Sequence, residues 1–204
     1  RLADRKTAHG VPVQQRVSNA WILSNGEVWC ALYGDSSWLI TTSPTNRQLI
    51  FQHPVIEGTN APLSKLNHVY LDSEEVTWLL TDNGLFRGSK PVNEKKQTRQ
   101  FQLVPFREEP KMAFESCLET AAALYFGTTD GRLWIYSKQR QTFSPVITHF
   151  HSPLTYLVRL PDGTVFAGSK QDGFLLYNPG IDQVSYYPSA YYKELKDNLF
   201  GAYT

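Results

Sequence analysis

The sequence predicts an all-β protein of the β-propeller class: four four-stranded antiparallel blades followed by the first strand of a fifth. Three observations carry that expectation. The chain holds 11 Tyr, 11 Phe and 5 Trp against a single Met, and large rings suit pleated, half-buried surfaces. Asn-Gly and Asp-Gly pairs recur at Asn25-Gly26, Asn83-Gly84, Asp130-Gly131, Asp162-Gly163 and Asp172-Gly173, and these residues tolerate the positive φ of tight hairpins. Short apolar or alternating runs between the turns repeat in order, with an aromatic in each second run at Trp29, Trp78, Tyr125 and Phe166. Their spacings of 49, 47 and 41 residues match four-stranded propeller units.

In chain order, residues 1–16 are a polar N-terminal segment. The first blade occupies 17–62, with strands over 17–23, 27–33, 37–42 and 47–52. The second occupies 63–110, with strands over 66–72, 76–81, 85–88 and, after a basic insert around Lys90 to Arg99, 98–105. The third occupies 111–153, with strands over 112–119, 122–128, 132–137 and 142–150. The fourth occupies 154–194 and is the clearest, since 154–160, 164–169, 174–178 and 183–187 form a meander of four strands in 34 residues. Ser189 to Glu194 can form one helical turn. Residues 195–204 resemble the start of the second blade at 63–70 and read as the start of a further one. A β-sandwich also uses short strands and frequent turns, but the four-strand period and the recurring aromatic favour the propeller.

Composition narrows the partners. Twenty basic and 19 acidic residues leave a net charge of +1, so nothing calls for nucleic acid or an anionic membrane surface. The longest apolar runs, such as Ala121 to Phe126, are too short to span a bilayer. The chain opens on Arg1 without a signal-peptide core, which reads as a fragment of a longer chain. An arc of four blades leaves apolar faces on its first and last members, so the parent is expected to extend at the C-terminal end and the piece to form a homodimer. Cys30 and Cys117, in apolar strand-like runs of different blades, are expected to be buried thiols rather than a disulfide.

The repeating unit is written most fully as Leu71-Asp72-Ser73-Glu74-Glu75-Val76-Thr77-Trp78-Leu79-Leu80-Thr81-Asp82-Asn83-Gly84-Leu85-Phe86. It returns as Ala123 to Tyr136 around Asp130-Gly131, and as Leu160 to Pro179 around Asp162-Gly163 and Asp172-Gly173. This resembles the two-component-regulator propeller repeat, found in the periplasmic sensor region of Bacteroides-type hybrid two-component systems (sensor histidine kinase and response regulator in one chain). The resemblance covers roughly residues 17–204. The first blade departs from it, because Gly34-Asp35-Ser36-Ser37-Trp38 lacks the Asp-Gly turn. What it implies is a membrane-anchored parent with further blades and a kinase. Such a parent senses oligosaccharides and controls polysaccharide-utilisation genes by phosphorelay. WD repeats require Gly-His and Trp-Asp, and Kelch repeats a double glycine, none of which occurs here. The sialidase Asp box has only a partial echo at Asp72 to Trp78.

Chemistry is sparse. There is no Gly-x-Ser-x-Gly, no phosphate loop and no His-Glu-x-x-His, so no catalytic residue, metal or cofactor is expected. His149 and His151, two apart on an expected strand, share a face but lack further ligands. The acid pairs Glu74-Glu75 and Glu108-Glu109 lie in or beside turns and read as solvated. In a meander, the loops joining strands two and three share an end with the connections between blades. That end is where ligand is expected, through aromatic faces for sugar stacking and Asp or Arg for hydrogen bonds. The candidates are Tyr191, Tyr192, Trp38, Asp82, Asp130, Arg132 and Asp172. The competing readings are an extracytoplasmic interaction scaffold and, more distantly, a glycan-active propeller enzyme.

Overall fold

The computed structural model describes residues 17–32, 39–42, 49–52, 55–56, 65–88, 100–106 and 112–189. Among them the chain forms four sheets. The first takes β1 (Val17–Ile22), β2 (Val28–Leu32), β3 (Leu39–Thr42) and β4 (Leu49–Gln52). The second takes β5 (Val55–Ile56), β6 (Leu66–Leu71), β7 (Thr77–Thr81), β8 (Gly84–Gly88) and β9 (Gln100–Leu103). The third comprises β10 (Phe114–Glu119), β11 (Ala123–Thr128), β12 (Leu133–Ser137) and β13 (Thr142–Val146), and the fourth β14 (Leu154–Arg159), β15 (Val165–Ser169), β16 (Gly173–Asn178) and β17 (Gln183–Pro188). Three sheets are antiparallel meanders in sequence order.

The second sheet departs from the expected four strands. Its order is β5-β9-β8-β7-β6, and β5 pairs parallel with β9 through Val55↔Gln100 and Ile56↔Phe101. The stretch expected to be only a connection therefore covers an edge that would otherwise present open backbone groups. Ile56 is buried there. The expected strand starts at 195–204, the helical turn beyond Ser189 and the basic insert lie outside the described residues.

The chain divides into two compact units, one of 1–79 with 86–105 and the other of 80–85 with 106–204. In the first, Trp29 and Ala31 of β2 pack with Leu66, Val69 and Leu71 of β6 and with Phe101 of β9. The Trp29 and Phe101 rings meet edge to face at 6.4 Å. In the second, Tyr125, Leu133 and Val146 of the third sheet pack with Leu154, Val165, Ala167 and Leu175 of the fourth. Burying each of the Leu, Val and Phe side chains among these stabilises the fold by about 1.5–3 kcal/mol. The opposite face of the third sheet carries an aromatic cluster in which Phe106 lies 4.9–5.3 Å from Trp134, Phe143 and Phe114. Pro145 and Pro188 fall in β13 and β17, the outermost strands of their sheets, where a missing N–H is tolerated.

The first strands of the first, third and fourth sheets share a β-bulge. Register slips between Val17 and Asn19, between Phe114 and Ser116, and between Leu154 and Tyr156. The bulge near Ser116 aims its hydroxyl at the Leu154 carbonyl, 2.6 Å away, joining third sheet to fourth. Gly127 leaves room for that approach, because a Cβ there would lie 2.6 Å from the same carbonyl. Cys30 and Cys117 are not joined in a disulfide, and both are half-buried rather than buried.

Candidate functional site

Among the described residues the sheets show two kinds of turn, and they behave differently. The turns between first and second strands are local. At 23–27, 72–76 and 160–164 the same pair of backbone hydrogen bonds closes the loop. One residue of each is left-handed: Gly26 (φ 83°), Glu75 (φ 63°) and Gly163 (φ 88°). An Asn or Asp side chain completes the turn, with Asn25 accepting from Glu27 N–H and Asp162 from Thr164 N–H. Asp72 does most: it accepts from Glu74 N–H, Val76 N–H and the Trp78 indole N–H within 2.8–2.9 Å. Three donors make a buried carboxylate tolerable. Glu74 and Glu75 stand exposed on that turn.

Of the turns between second and third strands, those of the third and fourth sheets reach further. The three described each begin with a hydroxyl, at Thr81, Thr128 or Ser169, and carry Asn or Asp before their glycine. Thr81 Oγ1 donates within its own turn, to Asn83 Oδ1 or to the Gly84 carbonyl. Asn83, rather than the expected Asp82, holds this place; Asp82 is exposed. Asp130 accepts from Thr128 Oγ1 and pairs with the Arg132 guanidinium, whose Nε lies 2.9 Å away. Burial pushes the Asp130 carboxyl up, but the Arg132 and Thr128 hydrogen bonds and the Arg132 charge outweigh it and hold it below the usual carboxylate range.

Asp172 binds across the sequence. Its Oδ2 accepts from His151 N–H at 2.7 Å, Ser152 N–H at 2.8 Å and Ser152 Oγ at 2.9 Å. Burial raises its carboxyl too, yet the donors from His151 and Ser152 prevail and lower it. Lys170 N–H adds a bond to the Pro153 carbonyl. On the other side, Thr148 Oγ1 donates to the Gly131 carbonyl at 2.7 Å. Gly131 has a φ of 88° and approaches Phe150 so closely that a Cβ would sit 2.7 Å from its backbone. The connection 147–153 is thus stapled to the 129–131 turn at one side and to the 170–173 turn at the other. This also corrects the expected strand over 142–150. β13 stops at Val146 because the following backbone bonds to these turns, so His149 and His151 do not share a strand face. Among the described residues no three His, Cys, Asp or Glu side chains gather as a metal site.

On the stapled connection stand exposed rings. His149 meets Tyr186 of β17 edge to face at 5.7 Å, and Phe150 lies beneath at 4.9 Å from the same tyrosine. Tyr186 is 36% exposed. Burial and then the Asp172 charge raise its phenol. Asp172 and the Asp130–Arg132 pair flank this platform through the turns they close.

No protein-family model matches the sequence, and no curated protein does. Among solved structures, the extracellular domain of the putative one component system BT4673 from B. thetaiotaomicron aligns with a TM-score of 0.64 at 16% identity. That alignment covers 86% of this chain and 23% of that one. A second structure of the domain, described as part of a putative hybrid two component system, gives 0.62 at 15% identity over 90% of this chain and 23% of that one. The Dos1 propeller gives 0.57 at 11% identity over 89% and 49%. The fold is of the propeller type. At these identities the likeness is one of fold, and the chain spans about a quarter of the BT4673 domain's length. Four-stranded antiparallel sheets are the units of that fold, and the stapled connection joins the third sheet to the fourth.

Of the sequence candidates, the structure places Asp130, Arg132 and Asp172 in the two turns that hold this crossing. Asp82 stands on the equivalent turn of the second blade. Trp38, Tyr191 and Tyr192 lie outside the described residues. Sequence reasoning passed over Tyr186, and it weighed His149 against metal binding and read it instead as a partly exposed polar residue at a strand end. The usable signal was topological, since 147–153 joins the end where the strand-two to strand-three loops lie.

Proposed function

We propose that this chain is the blade-bearing part of an extracytoplasmic sensor propeller belonging to a hybrid two-component signalling protein. In this reading it is non-catalytic and lies in the periplasm. It recognises an oligosaccharide at the loop end of its third and fourth blades, and its parent passes the signal by phosphorelay to genes for polysaccharide use. The observation that supports the reading is the stapled 147–153 crossing, which sets the exposed His149 ring edge to face against the part-exposed Tyr186 of β17, beside turns that carry Asp130, Arg132 and Asp172. Sugars engage such rings through their C–H faces and use neighbouring acids and guanidinium groups for their hydroxyls. The fold likeness to the BT4673 extracellular domain agrees with it.

A calorimetric titration of plant and host oligosaccharides into the protein tests this. One glycan class is expected to bind at micromolar Kd, and Tyr186→Ala to weaken it about tenfold, equivalent to about 1.4 kcal/mol. Silence across the panel from folded protein favours the interaction scaffold instead. That reading draws on the commitment of Asp72, Asp130 and Asp172 to internal hydrogen bonds.

A further inference from the structure

The outermost strand of a sheet presents backbone N–H and C=O groups with which another strand can pair. The second, third and fourth sheets treat this strand differently. β9 is covered by β5. In β13, Pro145 leaves the open side short of a donor. β17 has neither device. Gln183-Val184-Ser185-Tyr186-Tyr187-Pro188 carries no charge and no bulge, and its proline is its last residue. Among the described residues no strand pairs with its outer side.

The register fixes which of its groups face outward. Ser189 N–H donates to the Asp172 carbonyl, and the β16–β17 pairing continues that ladder from Gly173↔Pro188 to Asn178↔Gln183. Hydrogen-bonded and non-hydrogen-bonded pairs alternate along antiparallel strands. Tyr187, Ser185 and Gln183 therefore bond to β16, while Val184, Tyr186 and Pro188 turn their backbone groups away from it. Pro188 has no N–H to give, which agrees with that phase. The outward amides are thus those of Val184 and Tyr186, one on each side of Ser185. Their side chains share one face, and each residue is 36% exposed.

Such a strand is its own complement. We infer that β17 pairs antiparallel with β17 of a second copy about a two-fold axis at Ser185. Val184 of one copy then stands opposite Tyr186 of the other, and the outward amides and carbonyls of both residues are satisfied across the axis. The side-chain pairs are a β-branched residue against an aromatic, twice, which is favourable, with serine against serine between them. Centring the pair on Tyr186 instead sets Val184 against Pro188, which has no N–H to return. The occupant is a second copy because the strand matches itself group for group and carries no charge to repel its like. The contact is isologous and closed.

Sedimentation equilibrium of the wild-type chain is expected to give twice the mass of one chain. Ser185→Lys and Ser185→Glu each oppose like charges at the axis and should fall to single-chain mass with unchanged circular dichroism. Mixed together, these two variants should recover the double mass, since opposite charges then meet. Val184→Pro removes an outward amide while sparing the ladder to β16, and it too should give single chains. Ser144→Lys, exposed on β13, leaves the pair intact. Ser185→Cys, once oxidised, should join two chains across the axis, whereas Gln183→Cys should not. A wild type of single-chain mass overturns the inference. So does a pair that survives both charged variants, or one that crosslinks as readily through Gln183→Cys.

Discussion

The two ends of these blades solve the same problem in different ways. At one end, the 23–27, 72–76 and 160–164 turns close on themselves, each with its own left-handed residue and its own side-chain acceptor. At the other, the turns at 129–131 and 170–173 spend their polar groups on a crossing some twenty residues away. Local closure makes a turn replaceable; lacing makes it part of the tertiary structure. The laced end is where a surface can be held in fixed geometry, and it is the end where the exposed rings stand.

By this contrast, equivalent glycines at the two ends differ in cost. Gly131→Ala adds a methyl group 2.7 Å from the Phe150 backbone at a φ of 88°. It is expected to destabilise the protein by about 2–4 kcal/mol in urea unfolding, combining left-handed strain with overpacking. Gly163 has the same φ but open space around its missing Cβ. Gly163→Ala is therefore expected to lose only about 1–2 kcal/mol, the backbone part alone. Equal losses at the two sites would erase the distinction.

Asp172→Asn sharpens the comparison by acting on the lacing itself. Weakening the acceptor for His151 and Ser152 should cost about 1–3 kcal/mol at neutral pH. The sign with pH follows from the lowered carboxyl. Stability contributed by Asp172 is fully present above the ordinary carboxylate value, about 3.9, and is lost as pH falls through the lower folded one. The variant should thus differ from wild type near pH 7 and converge with it in acid, as followed by chemical denaturation at several pH values. The smallest effect belongs to Glu75→Gly in the local turn of the second blade. Relief of a left-handed glutamate is partly offset by the greater unfolded-state freedom of glycine, so thermal unfolding should shift by the equivalent of about 1 kcal/mol or less.

The strands were legible because period-two runs between Asn-Gly and Asp-Gly turns are local signals. Their edges fell where expected within a few residues in most cases, as at Val165–Ser169 and Gly173–Asn178. Two features were not legible, for the same reason. β5 is two residues long and is a strand only because β9 is there to receive it. β13 stops at Val146 only because Gly131 and Asp172 draw the next segment away. The candidate site was half legible: Asp130, Arg132 and Asp172 announce themselves as turn residues. The position of Tyr186 beside His149 depends on pairing across β16 and β17, which no local pattern encodes.

The stapled crossing has a consequence for timing and affinity alike. The His151 and Ser152 amides belong to no strand ladder, yet they point into a carboxylate and should exchange hydrogen as slowly as strand amides. A segment held that way has already surrendered its conformational freedom when the chain folds. Whatever settles on its outer side meets a rigid template, and none of the interaction is consumed in bringing the template to order.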